Sequence, residues 1–350
     1  MFDRIKEYLS LDMGIDLGTV NTLVYVKGKG IVVNEPSVIA INQKTGQVVA
    51  VGKDASKMFG RTPSHVVAVE PLVDGVISNF EATEEMLAYF IKKATTVAGK
   101  KLLGPRVVVG IPSGITNVEK RAVRDALINA GARQVFLVEE PMAGAIGTRL
   151  PVNDPVGNMI VDIGGGTTDV AIISLGGIVS SKNLRIAGNR LNDDIVSYVK
   201  DEFKVLIGSR TAEAIKIALG SATELSDPIE MPVRGRDIVT GLPKEIIITD
   251  ADIREAIFSS IRKILESAKE VIESTPPEVI SDVMKRGLVL LGGGALIGNM
   301  AQLFEQELKL RVYIAEDPLS CVVRGTGFIV ENLDIFADVL VENEDELPPV

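Results

Sequence analysis

The sequence predicts an α/β fold made of two duplicated halves, each a mixed sheet covered by helices. Three observations predict it. The hairpin-like stretch Gly14-Ile15-Asp16-Leu17-Gly18-Thr19-Val20-Asn21-Thr22 returns in the second half as Val161-Asp162-Ile163-Gly164-Gly165-Gly166-Thr167-Thr168. Each copy opens the same order of elements: three strands, then helix, strand, helix, strand, helix. The 350 residues exceed one ordinary core and suit two domains of typical size.

In each copy an apolar run carries an Asp and, two residues later, a Gly. A turn of small polar residues and a second apolar run follow, the first being Leu23-Val24-Tyr25-Val26. Such turns present backbone N–H groups that bind phosphate oxygens. Asp16 and Asp162 are anions and cannot help there directly; they make sense as holders of a Mg²⁺ ion or of the water around one. One Asp-x-Gly hairpin could be an ordinary turn. Two copies, with Asp16 aligned to Asp162, Gly18 to Gly164, Asn21 to Thr167 and Thr22 to Thr168, predict phosphate clamped between the halves.

Taken in order, Phe2, Ile5, Tyr8 and Leu9 recur at helical spacing, an amphipathic helix whose charges roughly cancel. Strands are predicted at 30–33, 37–41 and 48–51, and about 34–71 forms a small inserted subdomain. A helix follows over 82–98, then a buried strand at 106–111. A helix over 117–130 has Asn117 as its cap and Gly131 as its stop, and a strand covers 134–138. Pro141 opens a helix kept thin by Ala143, Gly144, Ala145 and Gly147, which suits either a crossing between domains or tight core packing.

The second half spans 151–317, with strands at 158–163, 168–175 and 177–186 and a helix over 189–203. A small subdomain of about 188–249 includes a helix at 211–219. A long helix over 250–273 ends before Pro276-Pro277, and a strand at 287–291 runs into Gly292-Gly293-Gly294. A helix near 299–308 and a strand at 312–314 follow. The last helix, about 318–335, packs back on the first half, 1–150. Residues 336–350 form an acidic tail predicted to be disordered.

Composition narrows the function. Hydrophobic residues are 46% and charged residues 24%, a soluble globular profile. A net charge of -10 argues against nucleic acid as a partner, since an extended phosphate surface needs a basic face. No apolar run approaches the ~18 residues of a membrane span, and Asp3 and Glu7 argue against a secretory signal. Cys321 and His65 are the only residues of their kinds, which leaves no internal disulfide and no usual Ser-His-Asp triad. A reducing cytoplasm is the expected home.

These motifs resemble the actin, Hsp70 and sugar-kinase superfamily and, within it, the MreB family of bacterial actin-like proteins. The resemblance rests on 14–22, Asn34-Glu35-Pro36-Ser37-Val38, Glu139-Glu140-Pro141-Met142-Ala143, 162–168, Thr275-Pro276-Pro277-Glu278 and 291–296. Val20, Asp169 and Gly188-Asn189-Arg190-Leu191 depart from the usual family residues.

The resemblance implies an actin-like ATPase fold, two ribonuclease-H-like halves around a nucleotide cleft, holding ATP and Mg²⁺. Thr19, Val20 and Asn21 would meet the phosphates from one side and Gly164, Gly165 and Gly166 from the other, with Asp16 and Asp162 orienting the hydrated metal. Glu213, Ala214, Ile215 and Lys216 match the ribose helix, and Gly292, Gly293, Gly294 and Ala295 the adenosine loop. Glu140 matches the acid that positions the attacking water, with Thr167 opposite. Read without the family, Glu213 and Lys216 are a solvated helical pair, and Glu139 or Glu140 caps a helix.

The resemblance further implies filaments of the chain itself on the inner face of the cell membrane, working with the cell-wall elongation machinery and its membrane-bound shape proteins to maintain rod shape. Membrane contact would come from Leu102 and Leu103, beside Lys100 and Lys101, and from Phe2, Ile5 and Leu9. The alternative is a small-molecule kinase of the sugar or acetate type, although no acceptor-site signature is evident. An Hsp70-like chaperone would carry a long C-terminal peptide-binding domain, for which little sequence remains.

Overall fold

The computed structural model describes residues 10–99 and 103–341. The N-terminal segment with Phe2, Ile5 and Leu9, the stretch Lys100-Lys101-Leu102, and residues 342–350 lie outside the described residues. The chain forms two compact units. The first comprises 1–156, 173–179 and 319–350, and the second 157–172 and 180–318.

In the first unit the strands are β1 (Asp12–Leu17), β2 (Asn21–Val26), β3 (Gly30–Pro36), β4 (Ile39–Asn42), β5 (Val48–Val51), β6 (Val66–Val69), β7 (Leu72–Val73), β8 (Val76–Ile77), β9 (Arg106–Ile111) and β10 (Gln134–Glu139). The main sheet has the order β10-β9-β1-β2-β3. β10, β9 and β1 run parallel, while β2 is antiparallel to both β1 and β3. The parallel strands are near-continuous apolar runs, such as Val107-Val108-Val109, because both faces of the sheet are covered.

The helices are α1 (Lys53–Met58), α2 (Phe80–Ala98), α3 (Asn117–Asn129) and α4 (Glu140–Gly147), joined after the second unit by α10 (Cys321–Glu331). Alternate residues Met13, Ile15 and Leu17 of β1 share one core with Met86 and Phe90 of α2 and Leu127 of α3. Gly14 points the other way, and a Cβ there would lie 2.5 Å from the Gly327 nitrogen of α10. α1 packs in the small sheet β5-β4-β6.

Two local expectations are corrected and one left open is decided. Asn117 is the first helical residue and Thr116 the cap: its hydroxyl accepts from the Glu119 N–H while Glu119 accepts from the Thr116 N–H at 2.7 Å. The thin helix α4 lies against α10 inside the first unit, so tight core packing accounts for its small residues. Residues 336–341, expected within a disordered tail, are instead ordered: Val339 is buried and the Val341 N–H donates to the Leu137 carbonyl at 2.9 Å.

In the second unit the strands are β11 (Asn158–Ile163), most of β12 (Thr168–Ser174) and β13 (Gly177–Leu184), whose facing ends are counted with the first, β14 (Val205–Leu206), β15 (Glu230–Asp237), β16 (Pro243–Thr249), β17 (Leu288–Leu291) and β18 (Val312–Ile314). The helices are α5 (Gly188–Phe203), α6 (Ser209–Leu219), α7 (Asp250–Glu273), α8 (Pro277–Arg286) and α9 (Met300–Leu308). The sheet order β18-β17-β11-β12-β13 repeats that of the first unit, with β11 in the place of β1. β11, β17 and β18 are parallel. Helix α8 is an addition to the sequence reading, which took Pro276-Pro277 only as a break. Proline is suited to a first helical turn, and Lys285, Arg286 and Gly287 close the helix at its other end.

Candidate functional site

Parallel α/β sheets bind ligands beyond the carboxyl ends of their strands. Both units place their marked residues there. In the first unit Asp16 stands abreast of Gly110, and Gly110 abreast of Val138, so Asp16 and Glu140 belong to the same end of the sheet. Glu140 opens α4. A Cβ on Gly110 would lie 3.3 Å from the Glu140 Cγ, so a glycine there gives that side chain room. Glu139 occupies the cap position, yet its side chain makes no capping bond to the helix. Burial pushes the Glu139 carboxyl up, against the pull of Lys120 and of a hydrogen bond from the Gly114 backbone.

The turn after β1 is braced from outside. The Ser37 hydroxyl donates to the Gly18 carbonyl at 2.6 Å, and the Ser37 N–H donates to the Val20 carbonyl at 2.9 Å. The buried Thr19 hydroxyl accepts from the Gly75 N–H at 2.9 Å, which leaves Val20 and Asn21 as the exposed part of the turn. Burial pushes the Asp16 carboxyl up to about 7. A cation or its bound water would hold such a carboxylate ionised.

In the second unit the hairpin closes through the Gly164 N–H, which donates to the Thr167 carbonyl at 2.9 Å. The first two residues of α5 take up the loop's carbonyls: the Gly188 N–H donates to Gly164 O at 3.1 Å and the Asn189 N–H to Gly165 O at 2.8 Å. In a trans peptide the N–H points opposite to the C=O. The N–H groups of Gly165 and Gly166 therefore point away from α5, as paired donors suited to an anion. The site thus fits a phosphate. Among the described residues no three or more His, Cys, Asp or Glu converge as direct metal ligands. Single carboxylates such as Asp16 and Asp162 suit an ion that keeps its water, as Mg²⁺ does.

Asp162 lies abreast of Leu291, so the loop after β17 adjoins it. Gly292 adopts φ +73°, and a Cβ there would sit 2.4 Å from Asp162 Oδ1 and 2.4 Å from the Ile163 carbonyl. Gly294 presses as closely on the Ile163 side chain. Gly293 is exposed, whereas Ala295 is a core residue. On α6, the Lys216 ammonium donates to Glu213 Oε2 at 2.7 Å and to Gly188 O at 3.0 Å. Ala214 is exposed, but Ile215 is wholly buried in the core and offers no surface to a ligand.

Ser37, Gly75, Gly188, Asn189 and Asn192 support these loops and were not singled out as site residues. Ser37 and Gly188-Asn189 lie inside recognisable motifs, which was the available signal; Gly75 and Asn192 act across long stretches of sequence. Leu103 is half-buried, next to Gly104, whose carbonyl accepts from the Ser10 hydroxyl at 2.8 Å. Among the described residues no helix is long and apolar enough to cross a membrane.

A family model described as MreB/Mbl protein matches residues 10–338. The cell shape-determining protein Mbl of Bacillus cereus is 48% identical over 324 residues, 92% of this chain and 96% of the relative. The cell shape-determining protein MreB of Escherichia coli is 46% identical over 348 residues, 98% of this chain and 100% of the relative. Crystalline MreB5 of Spiroplasma citri bound to ADP superposes with a TM-score of 0.88 at 39% identity, covering 94% of this chain and 98% of that one. A MamK double helical filament matches at a TM-score of 0.79 and 22% identity over 92% of this chain and 99% of that one, a likeness of fold.

Proposed function

The chain belongs to the MreB/Mbl family and has the actin-like fold, and on that premise we propose that it is a cytoskeletal ATPase that binds Mg²⁺–ATP, polymerises and determines cell shape. The observation that carries the nucleotide reading is the glycine loop at 164–166: α5 holds the Gly164 and Gly165 carbonyls, which turns the Gly165 and Gly166 N–H groups away from that helix. Spiroplasma citri MreB5 was crystallised with ADP and with AMPPNP, which supports the same ligand here. The small-molecule kinase alternative is set aside, because relatives spanning nearly the whole chain are cell shape-determining proteins.

In this reading the turns at 18–21 and 164–166 bind phosphate through backbone donors, and Asp16 and Asp162 hold water around the metal. Bound Mg²⁺ would supply charge neutralisation at the phosphates. Glu140, with Thr167, orients the attacking water; positioning is the main task left to the protein. Glu213 and Lys216 serve the ribose and the loop at 292–295 the adenosine. Repeated head-to-tail contacts give open filaments when the rotation does not close. Filaments would lie on the inner face of the membrane and organise the cell-wall elongation machinery.

The test is light scattering and electron microscopy with and without Mg²⁺–ATP. Filaments are expected only with nucleotide, and a chain that stays monomeric over a wide concentration range, with lipid present, overturns the reading. Glu140→Ala should still polymerise, yet release phosphate at least about tenfold more slowly, ~1.4 kcal/mol of barrier. Hydrolysis at the parent rate removes Glu140 from its role.

Membrane contact is assigned to Leu102, Leu103 and the N-terminal segment. Each lysine beside the leucines would add ~1 kcal/mol at an anionic surface. A filament repeats this weak contact, so filaments should bind anionic liposomes strongly and monomers weakly. The structure refines the truncation to use: it should begin at Ser10, because Leu11 is core and Ser10 ties down Gly104. If Leu102→Ser/Leu103→Ser and that truncation, alone and combined, co-sediment with liposomes like the parent, neither segment is the anchor.

A further inference from the structure

Asn192 lies on α5 and is only 3% exposed. Its side-chain N–H donates to Glu213 Oε2 at 2.7 Å. The Lys216 ammonium reaches the same oxygen at 2.7 Å and holds the Gly188 carbonyl as well. Two donors from different helices thus converge on one oxygen of a carboxylate that is 45% exposed. Oε1 receives no hydrogen bond from the described residues and has both lone-pair sites open.

A glutamate on a helix surface ordinarily samples several rotamers. Here the shared oxygen is fixed before any ligand arrives, and the second oxygen is left to accept. Buried amides are normally satisfied at both ends. The Asn192 Oδ1 is buried with no partner among the described residues, so this amide is not placed by a complete bonding set of its own. What it achieves is the bond to Glu213. The nitrogen must be the end that faces the carboxylate, since an oxygen there would be repelled.

Resting on the nucleotide reading above, we propose that Asn192 is a positioning residue that orients Glu213 to accept from the ribose 2′-hydroxyl, and so sets the preference for ribonucleotide over 2′-deoxyribonucleotide. A site built to bond a hydroxyl discriminates against the analogue that lacks it. The geometry also ties this selectivity to the phosphate loop, because Gly188 both donates to Gly164 and accepts from Lys216.

The experiment is isothermal titration of the full chain with Mg²⁺–ADP and Mg²⁺–2′-deoxy-ADP. The parent should prefer ADP by about tenfold or more, ~1.4 kcal/mol. Asn192→Ala should bring the ratio to within about threefold of unity, with 2′-deoxy-ADP affinity nearly unchanged. Glu213→Ala should also bring the ratio of the two affinities to within about threefold of unity, and in that ratio the double variant should add nothing further, since the two residues act as one unit. Asn192→Leu, close in size and without any donor, gives the same result and decides the matter if the alanine variant misfolds. A parental ratio in Asn192→Leu, or an equal loss of both ligands, overturns the proposal. A parent that binds neither ligand overturns the nucleotide reading and this inference together, and is distinguishable for that reason.

Discussion

Gly325→Ala is expected to melt the first unit about 6–12 °C below the parent, the shift that follows from ~3 kcal/mol in a domain of this size. The cause is the crossing of α4 and α10. A Cβ at 325 would lie 1.8 Å from the Ala143 carbonyl oxygen, and one at Gly147 would lie 1.9 Å from the Cys321 carbonyl oxygen. Both obstacles are backbone, so no side chain can rotate away; the helices must separate. α10 has no direction in which to retreat, because Gly327 is pressed on the Tyr25 ring and on β1. Overpacking ordinarily costs ~1–3 kcal/mol, and contact with backbone places this case at the upper end or beyond. Gly208→Ala, at the cap of α6, is the control: nothing lies within 4 Å of its Cβ, so it loses only the cap preference, ~1 kcal/mol or less, and should melt much closer to the parent. Scanning calorimetry checks both. A Gly325→Ala protein that melts with the parent would show that the helices are not in this contact.

The duplicated plan was legible because it is written in local pattern. Both Asp-x-Gly turns interrupt apolar strands, and continuous runs such as Val107-Val108-Val109 mark strands covered on both sides. Glu213 and Lys216 were legible as a pair because a spacing of three puts them on one helix face. Less legible features fall into two kinds. Short or proline-led helices were missed, as with α1 at six residues and α8 behind Pro276-Pro277. Long-range supports were missed for a different reason. Nothing local to Asn192 announces Glu213, 21 positions on, and nothing local to Thr19 announces Gly75, 56 positions on. Such contacts depend on how strands and helices are brought together, which periodicity does not encode. Ile215 shows the converse error: a motif carries a residue along with its neighbours, while the helical repeat turns that side chain into the core.

Gly292→Ala is expected to lower Mg²⁺–ATP affinity by at least about 100-fold, ~2.7 kcal/mol. Two costs combine. At φ +73° and ψ 176° the backbone is in a region essentially reserved for glycine, which costs ~1–3 kcal/mol for a residue with a Cβ. The new methyl would also lie 2.4 Å from Asp162 Oδ1 and from the Ile163 carbonyl oxygen. Relief requires the loop at 292–295 to lift off β11, or Asp162 to swing aside. In the proposed site the first movement displaces the adenosine loop and the second displaces the carboxylate that orders the metal's water, so either route weakens binding. Gly241→Ala separates strain from contact. It imposes a comparable φ, +75°, on the hairpin between β15 and β16, where nothing lies within 4 Å of the added Cβ. That variant should bind Mg²⁺–ATP as the parent does. Titration calorimetry on the three proteins measures the difference, with circular dichroism to establish that each is folded. A folded Gly292→Ala protein with parental affinity would mean that the contact between this loop and Asp162 has no part in holding the nucleotide.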